Sequence, residues 1–169
     1  MREIIDVVDE KDNFIRKTSR KEVREKALLH RTCRVVIVNE EHKLIVHKRS
    51  KSKDIYPNHF DIGMAETVKS GESYEAAAVR GLKEEFGIFN ISNIQLMRSF
   101  LFKINYRSKK HNIICKVYKL SYKGKLKLQE EEVEDAKFLT IEEVKRLMNK
   151  MPFHPVGKIV FDRYLELKS

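Results

Sequence analysis

The chain has 169 residues, of which 41% are hydrophobic and 36% charged. That length suits one globular domain with a sizeable core and is too short for two ordinary ones, and the apolar fraction is too high for a disordered chain. The formal net charge is +10, from 35 Lys and Arg against 25 Asp and Glu, which points to an anionic partner rather than a basic one.

Along the chain, residues 4–8 form a short apolar run. A polar turn at 9–13 and Phe14-Ile15 follow, the pattern of a small hairpin. Ser19 with Glu22 three residues on has capping-box spacing, so a short helix is expected over residues 20–28. Residues 32–38 and 44–48 are strand-like around the polar turn 39–42, and 59–64 is a further extended piece. The period then becomes helical: residues 73–86 carry Ala76, Ala77, Ala78, Leu82 and Phe86, and Gly87 stands where a C-cap is expected. Two long strands are expected at 94–105 and 112–122, flanking the basic tip 107–110. A last strand at 136–139, a helix capped by Thr140 and Glu143 and running to about Met148, and a terminal helix over 156–167 complete the chain. Strands and helices alternate irregularly, which favours an α/β arrangement with a mixed sheet between helices over a helix bundle. No linker or repeat divides the chain, so residues 1–169 read as one domain, the N-terminal hairpin and helix (1–30) included.

Cys33 and Cys115 lie far apart without metal or disulfide spacing and read as reduced thiols in strands. The start Met1-Arg2-Glu3 is unlike a signal peptide. The longest apolar runs, such as Val35-Val36-Ile37-Val38, fall far below the roughly 20 residues a bilayer demands. A cytoplasmic protein with no membrane partner is expected.

Two features carry chemistry. The first is the distribution of charge: residues 86–129 contain ten Lys and Arg and no Asp or Glu, so this one segment carries the whole excess. The second is the helix 73–86. Positions 81, 84 and 85 share a face, so Glu84 and Glu85 project near one another with Arg80 one turn before Glu84. Neighbouring carboxylates repel and call for a counter-charge, supplied either by Arg80 and nearby lysines or by a divalent cation.

The stretch Arg80-Gly81-Leu82-Lys83-Glu84-Glu85-Phe86-Gly87-Ile88, with Glu72 eight residues before Arg80, resembles the Nudix box, G-x5-E-x7-R-E-U-x-E-E-x-G-U, in which U is aliphatic. Outside the box the resemblance extends through residues 28–31, Lys48-Arg49-Ser50, Lys53, Pro57, Glu131-Glu132-Val133 and Phe138-Leu139-Thr140, covering about residues 2–165. Their order resembles the Nudix branch that includes isopentenyl diphosphate isomerases and related hydrolases. The resemblance implies a Nudix fold, an α/β/α sandwich in which the box forms a loop–helix–loop binding Mg²⁺ or Mn²⁺. It implies hydrolysis of a diphosphate linkage in a nucleoside diphosphate derivative. Hard cations on carboxylates suit that chemistry, because the diphosphate oxygens need neutralising and a water needs activating.

Two box positions depart from the pattern. The glutamate expected after the arginine is Gly81, and the opening glycine is Glu66. In the family the missing glutamate is a principal metal ligand, and the opening glycine offers its carbonyl near the same metal. Either Glu66 reaches over the space vacated at Gly81, giving a metal set of Glu66, Glu84 and Glu85, or the site is weakened and turnover slow. The resemblance puts Glu84, Glu85 and Arg80 in the catalytic set, with Arg80 orienting a carboxylate, and gives Glu72 a supporting role. Lys48, Arg49 and Lys53 are candidate phosphate contacts, and the acidic run Glu130 to Glu132 is either a further contributor or a solvated loop. The branch's isomerases carry a catalytic cysteine in the stretch matching residues 58–64, where this chain has none. The alternative to an enzyme is a weakly active or inactive module binding nucleotide or RNA. Phe89, Phe100, Phe102, Tyr106, Tyr118 and Tyr122 interleave with the cations of 86–129 and could stack bases. Against that, Phe100, Phe102 and Tyr118 have the alternation of core-facing strand residues.

Overall fold

The computed structural model describes residues 3–53, 55–89, 91, 94–106 and 109–167, with the backbone alone at 102–106 and 109–110. The expected hairpin is β1 (Ile4–Val8) and β2 (Phe14–Ser19), paired antiparallel from Ile4↔Ser19. Ser19 caps α1 (Arg20–Glu25) by accepting a bond from the Glu22 amide. The reciprocal half of the box is missing, because the Glu22 carboxylate is drawn to Thr18, Arg16 and Lys26. The helix also ends earlier than its composition suggests. Ala27 takes a left-handed φ of 51° so that the chain can turn into β3 (His30–Val38).

Strand β3 is the centre of the sheet. It pairs with β4 (Leu44–Arg49), with β1 at Val7↔His30, with β6 (Met64–Thr67) and, in parallel, with β8 (Lys109–Ser121). β5 (Phe60–Ile62) and β9 (Val133–Leu139) flank β4, and β7 (Ile94–Tyr106) pairs with β8. The single extended piece expected near residue 60 is therefore two strands. Gly63, at φ 61°, separates β5 on β4 from β6 on β3, and a Cβ there would lie 1.8 Å from the Val35 carbonyl oxygen. Only glycine allows the chain to cross so close to β3, and this crossing carries Glu66 to its place.

The run Val35–Val38 that looked uniformly apolar serves two cores, as expected of a strand covered on both faces. Val35 and Ile37 join Ile45 and Tyr118 beneath Ala77, Ala78, Leu82 and Phe86 of α2 (Tyr74–Phe86). Val36 and Val38 face the other way, toward Val144 of α3 (Ile141–Lys150) and Val156, Val160 and Phe161 of α4 (Pro155–Glu166). Helices on both faces of a mixed sheet give the α/β/α sandwich. In the basic segment, Tyr118 is 1% exposed and Phe100 packs against the α4 side, so these two aromatics belong to the interior. The side chains of Phe102 and Tyr106, and the tip residues 107 and 108, lie outside the described residues. Among the described residues no helix is long and apolar enough to cross a membrane.

Candidate active site

Helix α2 is fixed at both ends by local chemistry. The Ser73 hydroxyl accepts from the Ala76 amide, and Gly87 adopts φ 65° as the left-handed C-cap. Its apolar face settles on β3, β4 and β8, which turns Arg80, Gly81, Glu84 and Glu85 toward β6 and a cavity of about 710 Å³. Glu66 projects from β6, where it pairs across to Cys33.

Arg80 organises the acidic wall. Its Nε and Nη2 donate to Glu72 at 2.9 Å each, and Nη2 also reaches the Thr67 carbonyl at 3.0 Å. Nη1 stands 3.1 Å from Glu66 Oε2 and donates to Glu84 Oε2 at 3.4 Å. One guanidinium thus holds three carboxylates, and these bonds, Glu72 first, keep it above its ordinary pKa. Glu72 itself also accepts from the Lys69 amide at 3.0 Å, which ties the loop before α2 to the helix.

Glu85 stands apart from that network. It is 5% exposed, and burial pushes its carboxyl up to about 7, with Lys53 pulling down and Glu66 pushing further up. Lys53 Nζ lies 4.0 Å from Glu85 and contacts Glu132, while burial lowers its own pKa. Desolvation thus outweighs the attraction at both ends of this pair.

Gly81 lies where its helix passes β6. A Cβ at that position would meet Met64 Sδ at 2.5 Å, Met64 Cε at 3.0 Å and Glu66 Cβ at 3.2 Å. The two departures from the box therefore face each other directly. Among the described residues no three His, Cys, Asp or Glu side chains converge into a ready-made metal cage. Mg²⁺ commonly binds one or two carboxylates, completing its shell with water and substrate phosphates, so an open carboxylate wall without a cage suits it.

A family model described as NUDIX domain matches residues 28–160. The chain belongs to the Nudix family. It is 30% identical over 164 residues to an uncharacterized Nudix hydrolase of Pseudomonas aeruginosa, covering 97% of this chain and 94% of that protein. A crystal structure of a Deinococcus radiodurans protein superposes with a TM-score of 0.77 at 22% identity, covering 96% of this chain and 99% of that one. The NUDIX domain of Shewanella oneidensis NrtR, complexed with ADP-ribose, gives 0.64 at 15% identity, covering 82% and 88%. At these identities the structural likenesses establish the Nudix fold alone.

In this Nudix chain Arg80, Glu66, Glu84, Glu85 and Lys53 all line the one cavity, and so does Glu132 of the acidic run. Arg49 lines it too, but its guanidinium donates to the carbonyls of Ile55 and Tyr56, so it braces the 55–56 loop. Lys48 does not reach the site, contrary to the sequence expectation. Strand alternation puts it on the face of Leu44 and Val46, where it pairs with Glu134 at 2.9 Å. His154 is 8% exposed and caps α4 by accepting from the Val156 amide at 3.2 Å. It also touches Arg34, whose guanidinium grips Asp61 at 2.7 and 2.9 Å beneath the cavity.

A whole wall of the cavity was not foreshadowed by the sequence patterns above. Arg20, Val23 and Arg24 of α1, His30 of β3, Lys69, and His111 and Asn112 of β8 also line the cavity. The i, i+4 spacing of Arg20 and Arg24 beside Val23 was the available signal: two cations on the face of a helix that also has an apolar residue to bury.

Proposed function

We propose that this Nudix protein hydrolyses a diphosphate linkage in a nucleoside diphosphate derivative, with Mg²⁺ or Mn²⁺ as cofactor. The observation that carries the reading is the meeting of Glu66 and Gly81. The carboxylate absent from the helix is present on the strand, with its Cβ 3.2 Å from where the helix Cβ would be. One or two of the carboxylates Glu66, Glu84 and Glu85 would hold the cation, with water and substrate phosphates completing its shell. When bound, it supplies neutralisation of the diphosphate oxygens and activation of a water. Arg80 holds Glu66 and Glu84 in orientation from the side of Glu72. Lys53, set between Glu85 and Glu132, is placed to receive a phosphate oxygen as it leaves either carboxylate. The buried position of Glu85 limits the water competing for it, which strengthens each of these interactions. The ADP-ribose seen in the NrtR domain makes that compound a fitting first substrate.

A second reading, a Nudix module that binds nucleotide without turnover, draws on one feature. Glu66 and Glu84 already share a counter-charge, Arg80, that a cation would have to share or displace. Phosphate-product release from ADP-ribose, measured with and without Mg²⁺ and Mn²⁺, separates the two. Hydrolysis is expected with metal, and Glu85→Gln is expected to lower it by about a hundredfold or more. Saturable binding with no turnover in either metal establishes the module instead.

A further inference from the structure

Three alternate residues of β3, His30, Thr32 and Arg34, share the face of the sheet that runs on beneath α4 through Val36 and Val38. They line the cavity together with their register partners, Ile113 of β8 and Thr67 and Ala65 of β6. This surface is the cavity floor, and His30 stands at its far end from the carboxylates. It lies three residues along β3 from Cys33, the partner of Glu66, a run of about 10 Å at the rise of a strand. That is about the span from a diphosphate to the outer edge of its nucleoside. A cavity of about 710 Å³ has room for both parts.

The His30 ring has a fixed hydrogen-bonding sense. Its Nδ1 lies 3.0 Å from the Leu28 carbonyl oxygen. A carbonyl only accepts, so Nδ1 carries a proton and donates it. Burial, joined by Arg20, His111 and Arg24 and opposed by the Leu28 bond, holds the imidazole down to about 4, so it is neutral at pH 7. Nε2 is then a lone-pair acceptor. It forms no hydrogen bond among the described residues, and the side chain is only half-buried. Ile5, Val23, Leu28 and Ile113 line the cavity around it as apolar neighbours. Nε2 cannot bond to a phosphate, whose ionised oxygens only accept. It can take a neutral group that brings its own N–H or O–H into this apolar recess.

We propose that Nε2 of His30 accepts a hydrogen bond from a neutral donor on the nucleoside half of the substrate, an exocyclic amine of the base or a ribose hydroxyl. His30 is thus a binding residue that selects nucleosides by that donor. The inference rests on the nucleoside diphosphate reading above, which it deepens.

Four ligands test it: ADP, its analogue with purine in place of adenine, 2′-deoxy-ADP and 3′-deoxy-ADP. Binding is measured by calorimetry, in EDTA and in Ca²⁺. Loss of the donor that meets His30 should weaken binding by the natural protein about three- to tenfold. Weakening with the purine analogue assigns the amine, and weakening with a deoxy ligand assigns the hydroxyl. His30→Phe, which keeps a ring and loses the acceptor, should erase that difference. His30→Gln, which keeps an acceptor, should preserve part of it. Equal binding of all four ligands by the natural protein overturns the proposal, as does undetectable binding of ADP in both conditions. A difference of unchanged size in His30→Phe, or one that both variants erase alike, also overturns it. Hydrolysis of ADP-ribose in Mg²⁺ or Mn²⁺ is measured separately. The expected differences without hydrolysis refute the hydrolase reading alone, and hydrolysis without them refutes this inference alone.

Discussion

If Glu66 stands in for the glutamate missing at position 81, moving the carboxylate back should restore what its removal costs. Glu66→Gly alone takes one carboxylate from the wall and leaves Arg80 with Glu72 and Glu84. Its expected cost is at least the roughly 10–100-fold that even an outer partner of a metal site commands. Gly81→Glu alone must fit a side chain whose Cβ sits 2.5 Å from Met64 Sδ and 3.2 Å from Glu66 Cβ. Overpacking of this kind costs about 1–3 kcal/mol, and replacing glycine within a helix returns about 0.5 kcal/mol. The net loss of about 0.5–2.5 kcal/mol corresponds to a Tm about 1–10 °C lower for a chain of this size. In the double variant the Glu66 Cβ is gone, so part of that stability returns, and metal-dependent turnover should recover to within about tenfold of the natural protein. The two substitutions should therefore be strongly non-additive. Thermal unfolding followed by circular dichroism and the kinetics of AMP formation from ADP-ribose on the four proteins complete the cycle. A folded double variant no more active than Glu66→Gly refutes the substitution of one carboxylate for the other.

Two further predictions concern stability. Burial holds the imidazoles of His47 and His154 down to about 4 and about 3, Asp61 opposing it in both, against about 6.5 in the unfolded chain. Between those values the unfolded chain binds more protons than the folded one, so their contribution is complete above pH 6.5 and is lost as pH falls toward 4. Tm measured from pH 7.5 to 4.5 should decline through that window, and a flat profile contradicts it. Asp61→Asn leaves the fully buried Arg34 guanidinium without the carboxylate that it grips with two bonds. Breaking a buried pair in this way costs about 3–5 kcal/mol. Urea unfolding checks this, and a loss below about 1 kcal/mol would mean that Arg34 finds another partner.

The parts of the molecule legible in the sequence are those set by local signals. Gly87 ends α2 where the sequence puts its C-cap, and Thr140 with Glu143 forms a complete capping box. The position of Glu66 across from Gly81 followed from the two departures from the family pattern, without knowledge of the crossing at Gly63 that makes it possible. What stayed hidden depends on long-range pairing. That Lys48 would point away from the site while Arg49 lines it depends on which face of β4 meets which helix, and no property of the two residues distinguishes them. The α1 wall was equally hidden, because nothing near Arg24 in sequence indicates that Ser70 and Asn112 will dock the N-terminal segment beside the carboxylates. The basic segment was only partly resolved by its pattern. Tyr118 went to the core, while Lys123, Lys125 and Lys127 stayed exposed.

The parallel pairing of β3 with β8 has a consequence for how the chain is made. Strand His30–Val38 leaves the ribosome long before Ser121, its last partner in the β8 register. Parallel, non-local pairing of this kind is slow to form. Throughout that interval the side of β3 that β8 will take is open, next to the apolar run Val35–Val38, the sort of edge on which nascent chains associate. The antiparallel partner β6 arrives much earlier and can close the other edge, together with the helix that bears the carboxylates. The carboxylate half of the cavity is thus able to assemble first, and the strand that brings His111 and Asn112 to the opposite wall finishes both the sheet and the cavity.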